Sequence, residues 1–328
     1  MSMIIFKGAP VLYYPLYLVF SKTNSLSIQV QNLTKLYGEQ RAVDNISFSV
    51  QRGEIVGFLG PNGAGKSTTM KIITGYLHPD AGDVQVAGIH VNSAPLEAKK
   101  RIGYLPESNP LYFEMYVREY LDFIADLHHI NSKKTRIEEV IEKVGLQPES
   151  RKKIGQLSKG YKQRVGIAAA LLHDPEVVIL DEPTTGLDPN QIIEIREVIR
   201  TLGKDKTVLF SSHILQEVEA VCDRVIIINK GKLVADDSIS KLRANAGAVS
   251  QVIVQYREDI ATSMLSGLQG IQSITKSGPG TFGLATADPE QLRRQLLEHS
   301  LLHNLNIVSL HSGETSLEGI FRELTSKK

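Results

Sequence analysis

The chain has a single cysteine, Cys222, among its 328 residues. No intrachain disulfide can form, and a reducing compartment is expected. Cys222 lies between Val221 and Asp223, just ahead of the apolar run Val225–Ile228, and reads as a buried small residue. Charge of one sign is also missing: the net charge is +1, giving no general attraction to nucleic acid or to an anionic membrane. The basic groups Lys133, Lys134 and Arg136, and Arg151, Lys152 and Lys153, read as solvated helix faces. The nine histidines show no metal-ligand spacing, and there are no internal repeats. Beyond residue 25, no apolar run reaches the ~20 residues of a membrane-spanning helix.

The first 25 residues stand apart. Lys7, Pro10 and Pro15 interrupt their apolar character, and Val11–Phe20 is too short to span a bilayer. A signal-peptide reading lacks a convincing small-residue cleavage site. The family resemblance set out below begins only at Ser27, and on that ground Leu26 is expected to be a non-AUG start, with residues 1–25 outside the native chain; an interfacial anchor is the alternative. What remains has 42% apolar and 22% charged residues, an ordinary globular composition at a length that accommodates two domains.

Alternation over Ser27–Leu33 and Ala42–Val50 predicts two half-buried strands. Ile55–Leu59 is a short buried strand, followed by a helix from Lys66 toward Thr74. Asp83–Val86 and Ile89–Val91 flank Ala-Gly as a hairpin, and Ile102–Leu105 is another strand. The pattern is helical over Val117–Ile130 and Arg136–Val144, and again from the Leu157–Arg164 segment through Leu172. Strands return at Val177–Leu180, Thr207–Phe210 and Val225–Ile228, with a helix over Gln191–Leu202. Strands alternating with helices imply a mostly parallel sheet, the extra helices forming a separate lobe at about 107–172. Asn245 to Ala248 reads as a linker. Strands are then expected at Val252–Tyr256, Ile271–Lys276, Phe282–Thr286 and Ile307–Leu310. Asp288-Pro289 starts a helix, and Thr315–Glu318 is a capping box ahead of one apolar face with Leu317, Ile320, Phe321 and Leu324. This second unit carries no chemical motif.

Chemistry concentrates in two places. The first is the loop of Gly60, Pro61, Asn62, Gly63, Ala64, Gly65, Lys66 and Ser67. Its glycines allow backbone N–H groups to turn inward around phosphates, and the following helix adds its positive dipole end. Lys66 is expected to reach the β- and γ-phosphates, and Ser67 to offer a hydroxyl to Mg²⁺. The second is Asp181-Glu182, ending a four-residue aliphatic strand. Carboxylates there are costly to desolvate unless a metal or a proton transfer uses them. Asp181 is expected to hold Mg²⁺, mainly through water, and Glu182 to activate the attacking water. His213 falls about one strand–helix–strand unit after Glu182, and so can return to the same sheet edge.

Between these two lies Leu157-Ser-Lys-Gly-Tyr-Lys-Gln-Arg164. With the glycine loop before it and the acidic strand end after it, the chain over 27–240 resembles the ATP-binding cassette (ABC) ATPases. The resemblance implies a P-loop NTPase core with an inserted helical lobe over 26–244, followed by a small α+β domain over 245–328. It implies that two protomers share each active site. Tyr37 then matches the aromatic that stacks on adenine, and Thr68 the residue near the α-phosphate. Ser158 and Gly160 match positions that approach a γ-phosphate held by the other protomer. Asp188, in Gly186-Leu-Asp188, matches the key residue of a loop crossing the interface, and His213 the switch histidine that contacts γ-phosphate. Two departures stand out. Glu107 occupies a position usually held by glutamine, and Lys159 and Tyr161 replace the common glycine and glutamine of Leu-Ser-Gly-Gly-Gln. The second variant, and the tail Ser316–Thr325, resemble export-type bacterial members, with the gliding-motility subunits of Bacteroidetes the nearest likeness.

The resemblance implies an ATPase on the cytoplasmic face of the cell membrane that drives separate membrane-spanning permease subunits. Their docking surface is expected around Glu107–Tyr116, with Tyr112, Phe113 and Tyr116 gripping a helix. The rival is a soluble mechanical ABC ATPase acting on ribosomes or DNA. One cassette, no long coiled coil and near-neutral charge argue against it. A P-loop kinase or GTPase lacks the Leu157–Arg164 segment, and a non-hydrolysing regulator does not need Lys66, Asp181, Glu182 and His213 together.

Overall fold

The computed structural model describes residues 26–245, 250–313 and 321. Two strands open it, β1 (Leu26–Tyr37) and β2 (Gln40–Gln51), paired antiparallel across a tight turn where Gly38 takes φ 59°. A short strand, β3 (Ile55–Leu59), leads through the glycine loop into α1 (Lys66–Ile73). β4 (Ala81–Val86) and β5 (Ile89–His90) form a hairpin that joins the first pair. The resulting sheet is antiparallel throughout, in the order β2-β1-β4-β5. Next come α2 (Pro95–Arg101) and β6 (Ile102–Leu105), then the lobe helices α3 (Val117–Leu127), α4 (Lys133–Lys143) and α5 (Lys159–Leu171).

The chain returns through β7 (Val177–Leu180), α6 (Pro189–Gly203), β8 (Thr207–Ser212), α7 (Leu215–Val221) and β9 (Arg224–Asn229). β10 (Lys232–Ser238) and α8 (Ile239–Asn245) follow. A six-stranded sheet runs β10-β9-β3-β8-β7-β6, with only β10 antiparallel to its neighbour. Side chains alternate across it with the period of two that a pleated strand imposes. Val177 and Ile179 point into a core shared with β1, β2 and α1, where the Phe48 and Phe58 rings lie 5.5 Å apart. Val178 and Leu180 point into a second core with Ile167, Ile199 and Phe210. A strand covered on both faces is apolar at every position, which is why Val177–Leu180 carries four aliphatics in a row.

A third sheet, in the order β12-β13-β11-β14, joins β11 (Ser250–Tyr256), β12 (Ile271–Gly278), β13 (Thr281–Thr286) and β14 (Ile307–Gly313). Its pairings are antiparallel. The helix α9 (Pro289–Leu302) buries Leu292 and Leu296 in its core with Val252, Val254 and Phe282. As expected, Asp288 caps α9, its Oδ1 accepting the N–H of Gln291 at 2.9 Å.

The expected α/β core, inserted lobe and α+β unit are all present, with local corrections. The parallel sheet excludes β1, β2, β4 and β5, which form a sheet of their own. α3 ends at Leu127 rather than Ile130, because His129 takes a left-handed φ of 54°. α4 starts at Lys133, three residues before Arg136. The elements α2, α7, α8 and β10 were not anticipated: three are helices of only seven residues, and β10 is a polar edge strand. Residues 1–25, the linker beyond Asn245 and the Thr315–Glu318 box lie outside the described residues. Phe321 is partly buried against the core that holds Leu242.

Candidate active site

In a parallel sheet, ligands bind beyond the carboxyl ends of the strands, and here that edge collects the chemistry. β3, β8, β7 and β6 are neighbours, so the segments following them, with Lys66, His213, Glu182 and Glu107, sit side by side. The glycine loop is shaped by close approach as well as by torsion. A Cβ on Gly60 would lie 2.4 Å from the Ile228 carbonyl oxygen, and one on Gly65 would lie 2.4 Å from that of Ala42. Gly65 also takes φ 109°, a conformation closed to most residues. No side chain caps α1, leaving its first N–H groups for an anion.

The Lys66 ammonium, 5% exposed, donates to the carbonyls of Gly60 at 2.7 Å and Pro61 at 3.2 Å. It also pairs with Glu182 Oε1 at 3.2 Å. Glu182 is buried in a left-handed backbone conformation, φ 50°. Its N–H donates to Ser211 Oγ at 2.8 Å, and its Oε2 accepts from Thr185 Oγ1 at 3.0 Å. His213 Nδ1 lies 2.9 Å from the same Oε2. Four contacts thus hold a conformation that a non-glycine residue seldom adopts, the kind of local strain that collects at functional sites.

Asp181 Oδ1 accepts from Ser67 Oγ at 3.1 Å and from Ser211 Oγ at 2.6 Å. Burial pushes the Asp181 carboxyl above its ordinary range; the Ser211 and Ser67 hydroxyls act the other way, and the Glu182 charge adds to the rise. Its Oδ2 is buried and has no partner among the described residues. A hydroxyl beside a carboxylate with one oxygen left over is a hard, all-oxygen donor set, which fits Mg²⁺.

Lys66, Ser67 and Glu182 border a cavity of about 390 Å³ whose walls also include Tyr37, Asn62, Thr68 and Glu107, with Asp181 and His213 bonded to those groups from behind the wall. Tyr37 is half exposed, with the Lys35 ammonium 6.0 Å from its ring. Ser158, Gly160 and Asp188 are not in the cavity wall. They lie where the start of α5 meets the start of α6. Ser158 caps α5, its Oγ accepting the Tyr161 N–H at 3.3 Å. Asp188 caps α6 through the N–H groups of Asn190 and Gln191. The Gln191 side chain accepts the Gly160 N–H at 3.1 Å. Sequence reasoning missed Gln191 and Ser211; the serine pair before His213 was the only available signal for Ser211. Cys222 is buried, and burial pushes its thiol well above its ordinary value.

A phosphate cradle, a paired lysine and a buried dyad at one sheet edge define a P-loop ATPase site. A family model described as ABC transporter matches residues 43–185. The linearmycin resistance ATP-binding protein of Bacillus subtilis is 35% identical over 306 residues, covering 92% of this chain and 98% of that protein. The bacitracin transport ATP-binding protein of Bacillus licheniformis is 44% identical over 67% of this chain and 72% of that protein. Among solved structures, a dimeric ATP-binding cassette in a post-hydrolysis state with ADP and phosphate aligns at TM-score 0.60 and 26% identity. It covers 65% of this chain and 98% of the other. The chain belongs to the ATP-binding proteins of ABC transporters. It is an ATPase that uses ATP with Mg²⁺.

Proposed function

We propose that the chain powers an export system and that two copies, or this chain and a close paralogue, close head-to-tail on two ATP molecules. The observation that carries this reading is that Lys66, Ser67, Asp181, Glu182 and His213 are bonded together at one edge, while Ser158, Gly160 and Asp188 bond to residues of the α5 and α6 starts. Each cavity then needs the α5 terminus of another copy to be complete. Relatives named for linearmycin resistance and Nod factor export support the direction. The gliding-motility role is the narrower alternative, tested by whether deletion abolishes surface spreading.

In this reading Gly60–Thr68 cradle the phosphates and Tyr37 stacks on adenine. Mg²⁺, when bound, offsets charge on the β- and γ-phosphates; Ser67 Oγ and the spare Asp181 Oδ2 are the atoms that would hold it. Glu182 orients the attacking water and takes its proton, and His213 steadies Glu182 and reaches toward the γ-phosphate. Glu107, in the cavity wall, offers a carboxylate that can bind Mg²⁺ or position water in place of the usual glutamine. No helix among the described residues is long and apolar enough to cross a membrane. We therefore assign translocation to separate permease subunits, with this chain peripheral on the cytoplasmic face, an ATPase unit over 26–244 and an accessory unit over 245–328. A groove of about 310 Å³ between core and lobe, lined by Tyr76, Lys99, Pro110, Ile124 and His128, offers a seat for a permease helix. Tyr112, Phe113 and Tyr116 lie exposed nearby in sequence, outside its wall.

Glu182→Gln tests the core of the reading. Retained ATP binding, a long-lived dimer and hydrolysis near background are expected; undiminished hydrolysis would remove Glu182 as the base.

A further inference from the structure

We propose that Glu217 is a positioning residue that ties the loop bearing His213 to the loop running from Glu182 to Asp188. It lies on α7, 2% exposed, and none of the roles above uses it. One of its oxygens, Oε2, accepts from Thr184 Oγ1 at 2.5 Å and from Ser212 Oγ at 2.7 Å. Thr184 lies in the second loop, and Ser212 ends β8 immediately before the first. Ser212 Oγ also accepts the Ile214 N–H at 3.0 Å, closing a turn across His213. On the other side, the Thr184 carbonyl accepts the Leu187 N–H at 3.2 Å, and the neighbouring Thr185 holds Glu182 Oε2. Displacing either loop pulls on the same oxygen.

Burying an acid for packing alone is unfavourable. Glu217 Oε1 is buried with no partner among the described residues, so stability is poorly served by this carboxylate. The gain is geometric: one oxygen accepting from both hydroxyls fixes them relative to each other. His213 and Glu182 then keep their contact while the Asp188 end of the loop stays in register for a partner subunit. The inference rests on Glu182 acting as the base.

The test uses the full chain, measuring kcat and KM for Mg-ATP together with thermal unfolding. Glu217→Ala is expected to lower kcat roughly 10- to 100-fold with KM unchanged, the effect of misplacing groups that do not themselves react. Glu217→Gln keeps a carbonyl oxygen for both hydroxyls and should recover most of that loss. Ser212→Ala and Thr184→Val should each lower kcat alone but add nothing in the Glu217→Ala background. An unchanged kcat in Glu217→Ala, or a raised KM with kcat intact, would overturn the proposal. Should Glu217→Ala not fold, wild-type kcat in both Ser212→Ala and Thr184→Val would do the same. Glu182→Gln run in parallel separates the failures: turnover there rejects the base, whereas an inactive Glu182→Gln beside an unimpaired Glu217→Ala rejects only the coupling.

Discussion

Lys66 and Glu182 neutralise each other: the ammonium and Oε1 lie 3.2 Å apart, with both side chains less than a tenth exposed. The ion pair spans the phosphate loop and the end of β7. In the proposed reading, an incoming γ-phosphate would compete with Glu182 for that ammonium.

Removing one partner strands the other. Lys66→Ala should abolish ATP binding and lower stability by roughly 3 kcal/mol, the lower end for breaking a buried pair, since Thr185 and His213 still contact Glu182. The double variant Lys66→Ala/Glu182→Gln should melt above Lys66→Ala alone. Calorimetry on the three proteins checks this, and a double variant no more stable than the single would refute it.

Ser211 braces both acids, donating to Asp181 and accepting the Glu182 N–H. Ser211→Ala should reduce kcat about 10- to 100-fold and raise the Mg²⁺ concentration needed for half-maximal turnover, as losing a ligand's supporting bond does. A Mg²⁺ titration of phosphate release is the measurement.

If the active centre is shared, two dead proteins should rescue each other. Lys66→Ala spoils the phosphate loop and Ser158→Arg the α5 terminus. A mixed pair contains one intact combination, so mixing should restore activity that neither shows alone. Mixtures that stay inactive while still associating would count against shared sites.

His173 gives a pH dependence. Its ring stacks on His128 at 4.2 Å, and its Nε2 lies 3.0 Å from the Ile102 carbonyl, joining the lobe to the edge strand β6. Burial, with the neighbouring His128, lowers its pKa to about 4; the Ile102 carbonyl opposes this, and Lys206 and Arg136 add to it. A depressed histidine favours the fold while neutral. Its contribution is full above the unfolded value near 6.5 and is lost as pH falls toward about 4. His173→Gln, which keeps a donor for Ile102, should flatten the fall in melting temperature across that window. An unchanged slope would exclude His173 as the source.

Much of this was legible because local physics decides it. The glycines at 60, 63 and 65, the four aliphatics before Asp181 and the Asp288 cap each announce themselves within a few residues. The family resemblance then located Ser158, Gly160 and Asp188. The bonds made by Ser211, Gln191 and Glu217 were not legible, because they depend on β8 lying beside β7 and on α5 meeting α6. Nothing in a linear pattern distinguishes a serine that braces two acids from one facing water. The short elements escaped for a related reason: seven residues carry too little periodicity to separate α7 from a loop.

Gln191 already satisfies the Gly160 amide within a single chain. A lone molecule therefore exposes no bare donor there to capture stray anions. In the proposed dimer, association would trade one hydrogen bond for another of similar kind, so this contact would add little net grip. Such an exchange would leave the proposed pair easy to part once its nucleotide is spent, as a device that opens as often as it shuts requires.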